Sequence, residues 1–340
     1  MNISTIGLDL AKNVFQVHGA DVSGTPVLRM KLRRDHVLKF FAKQPPCLVA
    51  MEACGGAHYW GREIGKLGHQ VRLIPPAYVK PFVKRQKNDA SDAEAICEAV
   101  QRPTMRFVNV KSEERQASIA AFRVRDLLVR QRTQAINALR GHVTEYGIVV
   151  PQGPTHIPRL LEWIESAENG LPDAARLALG ILIETLRRLE DQIKHLGTEI
   201  VRRAREDAEA RRLATVPGVG AITATALIAL APEASTFKKG RDFAAWVGLT
   251  PLQHSTGGKQ KLGATSKMGD RTLRRLLIIG ASSVVKQALR KGCQDQSWLG
   301  RMLARKPPML VIFALANKMA RTIWALMARG GIYQAPTAAV

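Results

Sequence analysis

ISTIGLDL, Ile3 to Leu10, is apolar enough for a buried strand, yet it leaves a carboxylate, Asp9, close to its end. A charge there caps, turns or binds something. Outward from this run, Asn13 to Gly19 (NVFQVHG) alternates as a half-exposed neighbouring strand does, and Thr25 to Leu32 reads as a third strand. A short helix is expected near Asp35 to Lys43. CLVAMEA, Cys47 to Ala53, then reads as another apolar strand carrying Glu52 near its end. Gly55 and Gly56 precede a helix from about Ala57, and QVRLIPP from Gln70 gives one more strand. Strands alternating with helices predict an α/β domain.

The next segment, KRQKNDASDAEAICEAV, places Asp89 and Asp92 three apart at a helix start, on one face. Helix capping accounts for such a pair taken alone. The set of four carboxylates asks for more, because a mixed sheet brings the strand ends carrying Asp9 and Glu52 to one edge. Crowded carboxylates repel and raise one another's pKa, so convergence of Asp9, Glu52, Asp89 and Asp92 implies a divalent cation. Ligation by oxygen alone favours Mg²⁺ or Mn²⁺. Such ions activate attack on a phosphodiester.

A second chemical region runs from Gly248 to Leu277, GLTPLQHSTGGKQKLGATSKMGDRTLRRLL. Gln253 to Lys261 has no apolar block and is expected to lie open as a loop. A helix follows Gly269, with Leu273, Leu276 and Leu277 on one side and Arg271, Arg274 and Arg275 on another. A serine beside arginines suits attack on phosphorus with the phosphate backbone held in place. Ser255 is the preferred nucleophile, since a primary alcohol attacks more readily than the hindered alcohol of Thr256; Ser266, next to Lys267, stays as a further candidate. Lys259, Lys261, Lys267, Arg271, Arg274 and Arg275 are expected to contact nucleic acid. His254 reads as a solvated loop histidine, and His58 and Tyr59 as packing at a helix start.

Composition agrees. The chain has 340 residues with 51 Lys and Arg against 28 Asp and Glu, a net charge of +23. An excess of that size points to nucleic acid ahead of a membrane surface. Between Lys238 and Lys306, 15 basic residues face only Asp242, Asp270 and Asp295. Four cysteines, Cys47, Cys54, Cys97 and Cys293, form no CxxC pair, which argues against structural zinc and disulfides. With no cationic leader, and with Val219 to Ala231 as the longest apolar run, a cytoplasmic, nucleoid-associated protein is expected.

Between the two regions the pattern is helical. From Ser112 to about Tyr146, Phe122, Val129, Ile136 and Val143 recur every seventh residue; GIVVPQGPTHIP then breaks the helix. Leu179, Leu182, Leu186, Leu189, Ile193, Leu196 and Ile200 form a coiled-coil seam, fit either for a dimer or for an intrachain hairpin. VPGVGAITATALIA, from Val216, resembles the turn of a helix-hairpin-helix, in which Gly218 and Gly220 let backbone amides approach a phosphate. Pro307 to Met327 reads as an apolar helix closing the last core, and Ala335 to Val340 as a frayed tail.

GLDLAKNVFQVHG, MEACGGAHYW, KNDASDAEAI, VPGVGAITA, FAAWVGLTPLQHSTGGKQKLGATSKMGD and RTLRRLL together resemble the DEDD-type insertion-sequence transposases, the bridge-RNA-guided recombinases, in their subgroup with an HSTGG serine loop. The resemblance spans nearly the whole chain. It implies an RNase H-like (RuvC-like) N-terminal domain over 1–110, in which Asp9, Glu52, Asp89 and Asp92 match the four acidic positions. A helical, coiled-coil middle would occupy 111–210, and a mainly helical transposase domain with a serine nucleophile 211–340. It further implies donor and target DNA and a structured noncoding guide RNA as partners, and dimers assembling to a tetramer. The function expected is recombination through a covalent phosphoserine. The alternatives are a RuvC-like structure-specific nuclease using metal-activated water, and a non-enzymatic RNA-binding scaffold.

Overall fold

Strand β1 (Thr5–Asp9) lies at the centre of a five-stranded sheet in the computed structural model. The structure describes residues 2–84, 89–292 and 296–335. Cys293 and the tail residues 336–340 lie outside them. The described chain divides after Gln116 into two units.

In the first unit, β1, β2 (Val14–Ala20) and β3 (Pro26–Arg33) form an antiparallel meander, while β4 (Leu48–Glu52) and β5 (Gln70–Ile74) run parallel to β1. The strand order is β3-β2-β1-β4-β5. A 3₁₀ turn at Arg34–His36 leads into α1 (Val37–Phe41), a shorter helix than the sequence suggests; α2 (Ala57–Lys66), α3 (Pro76–Val79) and α4 (Asp89–Val100) follow. Side chains alternate across the strands, so both faces acquire a core. Ile6, Leu8, Phe15, Val17, Val49 and Met51 meet Phe41 of α1 and Trp60 and Ile64 of α2. On the other face Ala50 and Ile74 meet Ala95, Ile96 and Ala99 of α4.

Gly7 decides how close α4 sits. A Cβ there would lie 2.2 Å from the Ala93 carbonyl oxygen and 2.6 Å from the Cys97 nitrogen. Only a residue without a side chain lets the helix backbone press onto β1.

The second unit is almost wholly helical. α5 (Glu113–Thr144, its first residues belonging to the first unit), α6 (Ile157–Glu165) and α7 (Asp173–Glu206) share one core, in which Ile136, Leu139 and Val143 meet Leu160, Ile164, Leu179, Ile183 and Leu186. The heptad seam is therefore occupied within the chain along this stretch: Leu179, Leu186, Leu189, Ile193 and Ile200 are buried. α6 begins inside the segment expected only to break a helix, because Pro158 stands in its first turn, where no amide partner is needed.

A second core joins α8 (Ala208–Leu213), α9 (Ala221–Leu230), α10 (Gly240–Val247), α11 (Arg271–Lys291) and α13 (Pro308–Arg329), with α12 (Trp298–Leu303) packed at its side. Gly218, at φ +85°, turns the chain between α8 and α9, and a Cβ on it would lie 2.7 Å from the Gly280 carbonyl of α11. Its glycine character is thus used to pack the turn on α11, whereas Gly220 has open space around it. The longest apolar element is α13, not the run around α9. Among the described residues it is the one helix long and apolar enough to cross a membrane, with mean hydropathy 1.4. Its Val311, Ala316, Ala320 and Ile323 are fully buried in the core.

Candidate active site

The carboxyl ends of β1 and β4 are neighbours, since Leu8 pairs with Met51 in parallel register. Asp9 and Glu52 therefore leave the sheet side by side. Asp9 shares the face of Gly7, the face onto which α4 packs, and Asp89 and Asp92 occupy the first turn of that helix. One ligand oxygen each from Asp9, Asp89 and Asp92 lies within 4.8 Å of the others. Glu52 stands outside that trio but close enough for its charge to act on Asp9.

The electrostatics record the crowding. Burial, then the charges of Asp92, Asp89 and Glu52, push Asp9 up to about 6. Burial and Asp92 raise Glu52 above its ordinary value, and burial with Glu52 and Asp9 raises the neighbouring Cys54 thiol. Cys54 is thus a thiol held protonated, not an activated nucleophile. Among the described residues no cation pairs with Asp9 or Glu52, so the four carboxylates form an all-oxygen set that a hard divalent cation would neutralise. The donor set fits such an ion.

The serine segment lies open, as expected, as the loop of a short hairpin. β6 (Pro251–Gln253) and β7 (Leu262–Thr265) pair antiparallel, and Thr256 and Lys259 exchange backbone hydrogen bonds of 3.3 and 3.0 Å across Gly257 and Gly258. Both glycines have positive φ, +53° and +75°, as a type I′ turn demands. The missing apolar residues mean that the hairpin has no core of its own, and every side chain from Leu252 to Lys261 is exposed. The Ser255 hydroxyl accepts a hydrogen bond of 3.2 Å from the Lys261 amide. The His254 ring lies against Gly263, where a Cβ would come within 3.0 Å of it, and alternation puts Ser255 on the other face. Ser266 differs, for its hydroxyl oxygen is enclosed without a hydrogen-bond partner among the described residues.

The basic residues separate into two sets. Lys259, Lys261, Lys267 and Arg271 are exposed. Arg274 instead donates to the carbonyls of Val247 and Met268, at 3.0 and 2.7 Å, and pins the turn before α11 to the end of α10. Arg275 pairs with Asp126 at 2.5 Å. That turn is tight: Lys267 has φ +53°, and a Cβ on Gly269 would collide with the Trp246 carbonyl. Gly7 was the residue that reading by motif passed over. Its signal was present, because a glycine inside a strand pattern marks a close backbone approach.

His58 and Tyr59 divide as well. His58 turns inward, its Nδ1 accepting from the Lys111 amide at 3.2 Å, and burial and Lys111 hold it down at about 4. Tyr59 is not packed away but 43% exposed.

A mixed sheet that gathers carboxylates at the carboxyl ends of its strands, in a strongly basic chain, suits divalent-metal chemistry on a polyanion. Residues 6–148 match the DEDD IS110 transposase family, and residues 210–294 match the transposase IS116/IS110/IS902 family. The chain is 50% identical to a Pseudomonas aeruginosa protein described as "Probable family 20 transposase", over 98% of this chain and 99% of the relative. It is 42% identical to the transposase for insertion sequence element IS1328 of Yersinia enterocolitica, with 98% and 99% covered, and 36% identical to that for IS1111A of Coxiella burnetii, with 98% and 92% covered. The chain belongs to the IS110/IS116/IS902 family of DEDD transposases, and divalent-metal use goes with that membership.

Proposed function

We infer that this transposase is an RNA-guided recombinase that breaks DNA by serine attack and holds the strand as a phosphoserine. The observation that carries the reading is the convergence of Asp9, Asp89 and Asp92, with Glu52 alongside, at the end of an antiparallel meander continued by parallel strands. That strand order supports an RNase H-like (RuvC-like) first domain, 1–110. The separate core of α5, α6 and α7 supports a middle segment, 111–210, ahead of a transposase domain, 211–340.

In this reading Asp9, Glu52, Asp89 and Asp92 hold Mg²⁺ or Mn²⁺. When bound, the ion supplies positive charge at the scissile phosphate and stabilises the leaving oxygen. Ser255 Oγ gives its proton to solvent and bonds to phosphorus as the bond from phosphorus to the sugar oxygen breaks, and that oxygen takes a proton from solvent. One phosphate ester is exchanged for another, so the bond energy is kept for rejoining, unlike in hydrolysis. Exposure at the hairpin lets Ser255 reach a phosphate, and its amide partner, Lys261, orients the oxygen without consuming its proton. The enclosed hydroxyl of Ser266 has no such reach. Lys259, Lys261, Lys267 and Arg271 bind the DNA backbone, with Gly220 and Gly218 at a further backbone contact and Arg274 and Arg275 holding the α11 end beneath it. The net charge of +23 supports a second polyanion, a structured noncoding RNA that pairs with donor and target DNA. The protein would act in the cytoplasm, at the nucleoid, as dimers joined into a tetramer.

The test is the covalent adduct. Protein purified with its RNA and given DNA carrying the ends of its element should trap a denaturant-resistant protein–DNA band. Ser255→Ala should lose the band while still binding DNA. Cutting by Ser255→Ala with no adduct in either protein would replace this reading with a nuclease that uses metal-activated water.

A further inference from the structure

A cavity of about 770 Å³ opens at the same end of the sheet as the acidic cluster, and nothing in the chemistry above uses it. Its walls include Asn13, Arg33, Arg34, Leu38, Tyr59 and Trp60. They come from the approach to β2, the end of β3, the 3₁₀ turn and α1 that follow it, and the first turn of α2; the start of β2 and the end of β3 lie at the sheet end where Asp9 and Glu52 emerge. Asp9 pairs with Gln16, and Val14 pairs with Arg33. Two strands across and two residues along put Arg33 roughly 12 Å from Asp9, from strand spacing and rise.

The lining has the chemistry of a nucleotide cradle. The Arg34 guanidinium carbon sits 5.2 Å from the Trp60 ring centre and 5.9 Å from that of Phe15, with Nη1 donating to the Lys12 carbonyl at 3.4 Å. Trp60 is buried and braces Tyr59 edge-on at 5.2 Å, so a rigid, exposed aromatic ring stands beside a fixed cation. Among the described residues the Arg33 side chain is held by one 3.9 Å pair, with Asp35, both side chains largely in solvent, so it can swing to a phosphate. An exposed aromatic ring with arginines at hand stacks a base and holds its phosphate; a duplex, with its bases already stacked, offers no free face.

We propose that this cavity receives one unpaired nucleotide of the strand held at the acidic cluster, its base stacked on Tyr59 and Arg34 and its phosphate on Arg33. The assignment of the strand rests on reading that cluster as the DNA-cutting site. Binding to the cavity itself does not.

Fluorescence anisotropy in EDTA, with the full chain and labelled oligothymidylate or oligouridylate, measures binding without cutting. Tyr59→Ala should weaken single-strand binding by about tenfold, while Tyr59→Phe stays near the parent. Arg33→Gln should lower the salt slope by about one phosphate. Irradiated 4-thiothymidine in the probe should crosslink to the peptide containing Tyr59. A loss confined to the thymidylate arm names DNA as the occupant, and a loss confined to the uridylate arm names RNA and overturns the assignment to the cut strand. Unchanged affinity of Tyr59→Ala for both probes, with crosslinks elsewhere, overturns the site. Asp9→Asn should keep the Tyr59-dependent difference; if it also still cuts DNA, the cluster reading fails while the cavity stands.

Discussion

Gly7→Ala should break the acidic cluster without touching a carboxylate. The new methyl would start 2.2 Å from the Ala93 oxygen and 2.6 Å from the Cys97 nitrogen, both backbone atoms of α4. Ordinary carbon contacts begin near 3.5 Å, so strand and helix must separate by roughly 1 Å. Ala95, Ile96 and Ala99 of α4 are packed against Ala50 and Ile74, and this core resists the separation. Overpacking of this kind typically costs about 1–3 kcal/mol. Asp89 and Asp92 ride on the first turn of α4 and move with it, away from Asp9. Disturbing the support of metal ligands commonly lowers affinity by about 10–100-fold. Urea denaturation in EDTA would measure the first effect and calorimetric titration with Mn²⁺ the second. Gly55→Ala is the control, since nothing lies within 4 Å of its added carbon. Parent-like stability and Mn²⁺ affinity in Gly7→Ala would refute the claim that α4 contact assembles the site.

Four further outcomes are expected. Asp9, raised from 3.8 to about 6, binds more protons folded than unfolded, so in EDTA stability is greatest below pH 4 with respect to this group and falls as pH rises toward 6. After solvent screening the loss should be about 1–2 kcal/mol; Mn²⁺ at neutral pH should restore it, Asp9→Asn should abolish it, and a flat denaturation profile in EDTA would contradict it. Lys259→Gln with Lys261→Gln should lower the slope of log binding constant against log salt by about two, whereas Arg275→Gln should chiefly lower the melting temperature; equal slope changes would deny the division between free and engaged cations. Lys267→Gly should relieve the φ of +53° and raise stability by about 0.5–1 kcal/mol while weakening DNA binding, a pair of opposite signs readable by thermal melting and anisotropy. Leu186→Ala, fully buried in the core of α5, α6 and α7, should cost about 2–5 kcal/mol in urea denaturation, against little loss if the seam were reserved for a partner.

The strands of the first unit were legible because each is a short apolar or alternating run closed by polar residues, and β1, β2, β4 and β5 fall within a residue or two of their expected bounds. The acids were legible for a related reason: strand ends and helix starts are places where a carboxylate needs no burial. The hairpin was harder. Leu252 to Lys261 lacks the apolar alternation by which strands are recognised, and only Gly257-Gly258 marked the turn. Partner choice was not legible at all. RTLRRLL gives Arg271, Arg274 and Arg275 equal standing, but the Val247 carbonyl that helps hold Arg274 and the Asp126 carboxylate that holds Arg275 come from distant segments. The same holds for α7, whose seven-residue repeat is equally good evidence for an intrachain or an intermolecular partner until the helices that cover it are located.

The two chemical groups are built on opposite principles. Asp9 and Glu52 leave strands whose preceding residues, Leu8 and Met51, are fully buried, so their mutual repulsion is borne by a core that cannot relax. Ser255 stands on a hairpin with no core, held by backbone pairing and two glycines that tolerate left-handed φ. Neutralising an acid should therefore change stability and activity together, with stability rising as repulsion is removed. Altering Ser255 should change activity alone, because its hydroxyl makes no buried contact that folding depends on. On the proposed reading, a cluster that is costly to fold, with a serine that folding does not need, is the pattern expected when fixed charges must wait, preorganised, for a strand delivered to them.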